Sequence, residues 1–167
     1  MRTTTAILAL LVTAVSSGAL GHEIKTKSLQ IDHPWVRATP KGAVVTAGYL
    51  TITNTSKTTD YLTGASLEGA GGAEIHQTIV EDGIAKMRPM PGGVEIGPGK
   101  TVSLEPNGMH IMFTGLTSSY EPDTYFDGTL TFRSAGTVRI KFFVEAGPGK
   151  PHGSPTTAPN TGHEHHH

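Results

Sequence analysis

The methionines of this chain are concentrated around one histidine. Beyond Met1 there are four, all close to His110 in sequence: Met87, Met90, Met109 and Met112. Methionine often fills gaps in a core, so the direction of each side chain matters. In a strand, successive residues face opposite sides, which turns His110 and Met112 away from the apolar residues around them. We therefore predict that Met109 serves the core, whereas an imidazole and a thioether lie side by side on the other face.

A predicted hairpin supplies a second imidazole and a second thioether. Asp82-Gly83 lies between two strand-like runs and is a typical hairpin turn, with His76 before it and Met87 after it. Cross-strand neighbours are about 4.5–5.5 Å apart, and diagonal pairs about 7–8 Å, close enough to share one ion. Thioether favours Cu(I), so the predicted ligand set is His76, Met87, His110 and Met112. Met90, just after Pro89, remains an alternative to Met87.

The elements that position these residues are short strands. Segments rich in Val, Ile, Thr, Tyr and Phe alternate with turns containing Gly, Pro, Asn and Asp, and no long segment has a helical apolar period. The predicted strands are Leu29 to Ala38, Val44 to Asn54, Tyr61 to Leu67, Ala73 to Val80, Ile84 to Met90, Thr101 to Leu104, Met109 to Leu116, Tyr125 to Phe132 and Val138 to Glu145. This pattern predicts an all-β Greek-key β-sandwich or small barrel.

The two ends of the chain differ in composition from its middle. Arg2, the apolar run from Ala6 to Val15 and the small residues Ala19 and Gly21 predict a signal peptide over residues 1–21 and export. Residues 22–146 form the predicted copper-binding β-sandwich domain, with no membrane span after signal cleavage. From 147 to 167 the chain is rich in Pro, Thr, Gly and His, which predicts a flexible His-rich tail.

Composition excludes several classes of function. The absence of cysteine rules out disulfides, thiolate zinc sites and copper centres that need a Cys sulfur. Lys and Arg number 13 against 14 Asp and Glu, so no charge field points to nucleic acid or to anionic lipid as a partner.

Further histidines could take part in copper binding. Those of the tail could bind Cu(II) through nitrogen: His152, His163, His165, His166 and His167. Cleavage after Gly21 would make His22 the mature N-terminus, an arrangement also found in copper-dependent oxidative enzymes. That class is one alternative function, and a metal-free secreted binding module is another.

Five segments of the sequence resemble the periplasmic copper chaperones called PCu(A)C: Pro34 to Thr39, Tyr49 to Asn54, Glu74 to His76, Met87 to Pro89 and Gly108 to Met112. The family pattern is a His, a Met about ten residues later, and His-x-Met about twenty-one after that. Here ten residues separate His76 from Met87 and twenty-two separate Met87 from His110. A second departure is Gln77, where the family often has a Met, which removes one accessory ligand.

The resemblance implies a cupredoxin-like fold and a surface-exposed Cu(I) site in the periplasm. It also implies delivery of copper to a subunit of a respiratory cytochrome oxidase, for assembly of its copper centre. We therefore predict a carrier rather than an enzyme, and we expect a monomer. A second copper carrier working alongside is an open possibility for a further partner.

Overall fold

The computed structural model describes residues 23–147, and within them all regular structure is β-strand. The strands are β1 (Glu23–Lys25), β2 (Leu29–Arg37), β3 (Val45–Asn54), β4 (Asp60–Leu67), β5 (Gly72–Glu81), β6 (Ile84–Pro89), β7 (Val94–Ile96), β8 (Thr101–Leu104), β9 (Met109–Thr114), β10 (Tyr125–Phe132) and β11 (Gly136–Glu145). The all-β prediction is confirmed. Among these residues there is no helix long and apolar enough to cross a membrane. The predicted signal peptide, His22 and the tail histidines lie outside the described residues.

One continuous sheet contains all of these strands. Its order is β6-β5-β9-β3-β2-β11-β10-β4-β7, with β1 added to β2 and β8 added to β3. The β2–β11 pair is parallel, and the other pairs are antiparallel. Strand β4 also contacts β5 and β9, and β7 contacts β3, although none of these pairs is adjacent in the sheet. The sheet therefore curls over itself and encloses a core.

The core takes alternate residues from almost every strand. In β5 and β9 these are Ile75, Ile111 and Phe113, and in β11 they are Ile140, Phe142 and Val144. Met109 is half-buried and packs against the same cluster, as predicted. Because sides alternate along a strand, the residues between these core positions project from the opposite face of the sheet. That opposite face carries the candidate site.

Two tight turns adjoin the strands that carry the site, one between β5 and β6 and one just before β9. Asp82 and Gly83 both have positive φ, 52° and 76°, as a type I′ hairpin requires, and they join β5 to β6. Asn107, with φ of 67°, lies in the turn ahead of β9, where the Gly108 amide donates to the Glu105 carbonyl. Both predicted turns are confirmed.

Asp60 is a buried carboxylate that joins β4 to the turn between β10 and β11. It accepts hydrogen bonds from the backbone amides of Tyr61, Ser134 and Ala135 at 2.7, 2.8 and 2.9 Å. Burial would raise the pKa of this carboxyl, but the amide donors outweigh that effect and hold its pKa below the ordinary value. The ionised side chain therefore stabilises the folded state.

Candidate metal centre

Strand pairing brings two histidines directly opposite each other. Strand β5 lies between β6 and β9, and His76 on β5 is the cross-strand partner of His110 on β9. Cross-strand partners project from the same face of a sheet. Ile75 and Ile111, the neighbouring pair, both enter the core. His76 and His110 therefore project together from the opposite face, where they are only 7% and 5% exposed.

The hydrogen bonds of the two rings leave one free lone pair on each. His76 Nε2 lies 3.0 Å from a carboxylate oxygen of Glu74, so the neutral ring carries its proton on Nε2. Its Nδ1 is buried and has no hydrogen-bond partner among the described residues. His110 Nδ1 lies 3.2 Å from the Gly108 carbonyl, which can only accept, and this leaves the lone pair on Nε2.

The distance between the rings suits a shared ion. Their centroids are 6.0 Å apart, and the ring planes are at 88° to each other. A ligand nitrogen about 2.0 Å from a metal puts its ring centroid about 3 Å away, so two rings sharing an ion have centroids at most about 6 Å apart. The observed separation is at this limit and corresponds to a wide angle between the two nitrogens. A buried nitrogen without a partner is costly to keep, and a bound metal would satisfy it.

Two methionines share the face with the histidines. Met112 follows His110 by two residues on β9 and is half-buried, with Glu74 as its partner on β5. Met87 on β6 is the partner of Thr78, one diagonal step from His76, and the residue is 63% exposed. The pair was expected to be roughly opposite; the register makes it diagonal, within reach of a flexible thioether. The two methionines are thus more exposed than the two histidines.

Met90 lies on the other face. Its amide donates to the carbonyl of Ile75, and its side chain packs against the core cluster. Pro89, one residue earlier, is the cross-strand partner of His76. The geometry therefore gives Met87, and not Met90, access to the histidine pair.

The available donors are imidazole and thioether. Within residues 23–147, no three side chains of the His, Cys, Asp and Glu types are grouped as a metal site. A hard divalent ion prefers several oxygen ligands, and structural zinc prefers thiolate with imidazole. A site that gathers two histidines with two methionines is suited to a soft monovalent ion.

Three neighbours of the histidines were not predicted as part of the site. Glu74 and the Gly108 carbonyl bond to the rings, and the ring of Tyr49 on β3 lies 6.5 Å from that of His110. Glu74 precedes His76 by two residues and so shares its face, a signal present in the sequence. The position of Tyr49 depends on β3 pairing with β9, which local spacing does not indicate.

The model of the LpqE-like family matches residues 29–144, which include every residue of the candidate site. The chain belongs to the LpqE-like family. One relative, the protein Lxx21020 of Leifsonia xyli subsp. xyli, is 30% identical over 112 residues, 67% of this chain. The match spans 66% of that relative's own length, slightly under two thirds.

Solved structures agree with the family. The apo PCuAC domain from PmoF1 is 27% identical with a TM-score of 0.63, and the match covers 75% of this chain and all of that one. The Cu(I) form of DR1885 from Deinococcus radiodurans is 25% identical with a TM-score of 0.57, and the match covers 81% of this chain and 87% of that one. The resemblance to PCu(A)C proteins and the predicted fold class are thereby confirmed.

Proposed function

We propose that this protein is a copper carrier that binds one Cu(I) ion through His76, Met87, His110 and Met112. The observation that carries the proposal is the His76 Nδ1 atom, which is buried, without a hydrogen-bond partner, and on the ring facing His110. The Cu(I)-bound form of DR1885, a structural relative, supports the choice of metal. The soft thioethers favour Cu(I) over Cu(II), and neutral imidazole accepts either.

The different exposures of the ligands suggest how the ion enters and leaves. The buried histidines provide a fixed base, whereas Met87 lies on the outer surface of an edge strand. Thioether is a neutral ligand that can be exchanged more easily than thiolate. Copper would therefore pass to an acceptor by stepwise ligand exchange, beginning at Met87. Such a transfer moves the ion from one set of ligands to another and changes no substrate chemically. We therefore propose a carrier and not an enzyme.

Met87 and Met90 form a matched pair that tests the ligand assignment. We expect Met87→Ala to weaken Cu(I) binding by about 10- to 100-fold, because one of four ligands is lost while the other three remain. Met90→Ala also removes a methionine side chain, but one that packs against the core. It should change Cu(I) affinity by less than about threefold. The measurement is a Cu(I) titration against a competing chelator, with stoichiometry. Equal losses in both variants, or none in Met87→Ala, would refute the assignment.

The proposed setting is the periplasm, reached through the signal peptide of residues 1–21. The proposed acceptor is a copper-binding subunit of a respiratory cytochrome oxidase, with a second copper carrier as an open possibility. Support for both comes from the relationship to PCu(A)C proteins. Mixing Cu(I)-loaded protein with the apo form of such a subunit should transfer the metal. Full retention by the carrier at equal concentrations would argue against this acceptor.

The histidines of the tail are proposed to bind Cu(II) as a second, separate capacity. Strand β11 ends at Glu145, which is paired with Arg37 on β2, and three strand steps lead from β11 to β9. At about 4.8 Å per step, the end of β11 lies about 15 Å from β9, the strand that carries Met112. A span of this size is within reach of about sixteen to twenty residues of flexible chain.

Truncation tests this second capacity. Removing residues 148–167 should abolish high-affinity Cu(II) binding and leave Cu(I) binding unchanged, because the thioether site is not touched. Titration of each oxidation state, with EPR for Cu(II), provides the measurement. Unchanged Cu(II) affinity after truncation would show that the tail histidines do not bind Cu(II).

A further inference from the structure

Glu74 is the only side chain among the described residues that bonds to the ring of His76. It precedes His76 by two residues on β5, and its carboxylate oxygen lies 3.0 Å from His76 Nε2. The two side chains differ sharply in accessibility, because that of Glu74 is 65% exposed and that of His76 is 9% exposed. An exposed carboxylate thus holds the outer nitrogen of a buried imidazole.

We propose that Glu74 is a positioning residue for copper: it keeps the proton of His76 on Nε2 and the lone pair of Nδ1 directed at the ion. This inference rests on the proposed function. The two ring nitrogens of histidine are distinct, and the bond made by one decides which state the other is in. Carboxylates that accept the second N–H of a ligand histidine also raise its basicity as a ligand.

The charge of Glu74 adds a second effect. The four proposed ligands are neutral, so the site would become positive when Cu(I) enters. Glu74 also shares its cross-strand row with Met112, which places its carboxylate beside two of the four ligands. A negative charge at this distance favours a bound cation over an empty site. His110 has no such partner, since its Nδ1 donates to a backbone carbonyl.

Two substitutions of Glu74 separate its effect on the position of the His76 ring from the effect of its negative charge. In Glu74→Ala both the acceptor and the charge are lost, whereas Glu74→Gln keeps an amide oxygen able to accept from Nε2–H and loses only the charge. We expect Glu74→Ala to weaken Cu(I) binding by about 10- to 100-fold, as for other partners of ligand histidines. Glu74→Gln should fall between Glu74→Ala and the wild type. Because Glu74 is exposed, both variants should fold.

A matched control exists on β7. Glu95 accepts a hydrogen bond from the Tyr61 hydroxyl at 2.8 Å and, among the described residues, makes no hydrogen bond to either histidine of the site. Glu95→Gln removes one carboxylate charge and retains an acceptor, as Glu74→Gln does. Its Cu(I) affinity should equal that of the wild type.

The readouts are a chelator-competition Cu(I) titration and the ¹⁵N NMR shifts of the His76 ring in the apo-protein. The expected result is reduced affinity in Glu74→Ala together with a ring that populates both tautomers, while Glu74→Gln retains the Nε2–H form. Wild-type affinity and an unchanged ring in Glu74→Ala would overturn the inference. If the wild type takes up no Cu(I), the proposed function fails. The NMR shifts would then still decide whether Glu74 fixes the ring.

Discussion

Replacing His110 by asparagine is expected to weaken Cu(I) binding by about 100- to 1,000-fold. Four-ligand structural metal sites are worth about 10–16 kcal/mol in apparent binding, so one of four ligands contributes about 3 kcal/mol. His110 is 5% exposed, and β9 contains no second imidazole that could replace its free Nε2. The apo-protein should stay folded because His110 projects from the face opposite its core-facing neighbour Ile111, and asparagine is smaller and also polar. Chelator competition measures the affinity, and circular dichroism checks the fold.

His33→Asn is the control for this experiment. His33 is also on the sheet, but its side chain is half-exposed and bonds to Glu145 at 2.7 Å. It has a φ of 49°, a conformation that asparagine tolerates well. The variant therefore loses one imidazole without strain, and its Cu(I) affinity should match the wild type. A His110→Asn variant that binds Cu(I) as tightly as His33→Asn would show that His110 is not a ligand.

Replacing Asp60 by asparagine is expected to destabilise the fold by about 2–3 kcal/mol at pH 7. The amide oxygen can still accept from the Tyr61 and Ser134 amides, but the N–H₂ group then faces the Ala135 amide and leaves that donor without an acceptor. Because the amide donors hold the pKa of Asp60 below its ordinary value, its contribution is complete above the unfolded pKa, about 4. It is lost as pH falls through the lower folded pKa. The difference between wild type and variant should therefore shrink below about pH 4.

Urea unfolding of both proteins from pH 7 to pH 3 measures this dependence. Asp127→Asn is the control, since Asp127 is an exposed carboxylate whose one ion pair within residues 23–147 is with Lys141 on the surface. Its substitution should change the free energy of unfolding by less than about 1 kcal/mol. A penalty in Asp60→Asn that is constant over the whole pH range would mean that the carboxylate charge does not stabilise the fold.

Most of the secondary structure could be predicted from local pattern. The nine predicted strands are all present, with ends within two residues, because apolar alternation and turn residues both act over short distances. Strands β1 and β7 were missed since three residues are too few to show alternation. The sheet order was not predictable. The neighbours of β9 are β5 and β3, which are distant in sequence, and only packing of the whole chain selects them.

Part of the site could also be predicted, because it too depends on strand alternation and on a local turn. Alternation correctly separated His110 and Met112 from the core-facing Met109, and the hairpin turn put His76 and Met87 on adjacent strands. The choice between Met87 and Met90 needed the register of β5 with β6, which places Pro89 opposite His76. The hydrogen bonds that leave one lone pair free on each histidine ring could not be predicted, because they depend on side-chain positions that the sequence does not give.

X-ray absorption at the copper edge of the Cu(I)-loaded protein would identify the atoms bound to the metal and so test the proposed site of two histidines and two methionines. The chain contains no cysteine, so any sulfur bound to copper must come from methionine. We expect one Cu(I) per chain, bound by two imidazole nitrogens and two thioether sulfurs. A first shell of nitrogen and oxygen alone would contradict it.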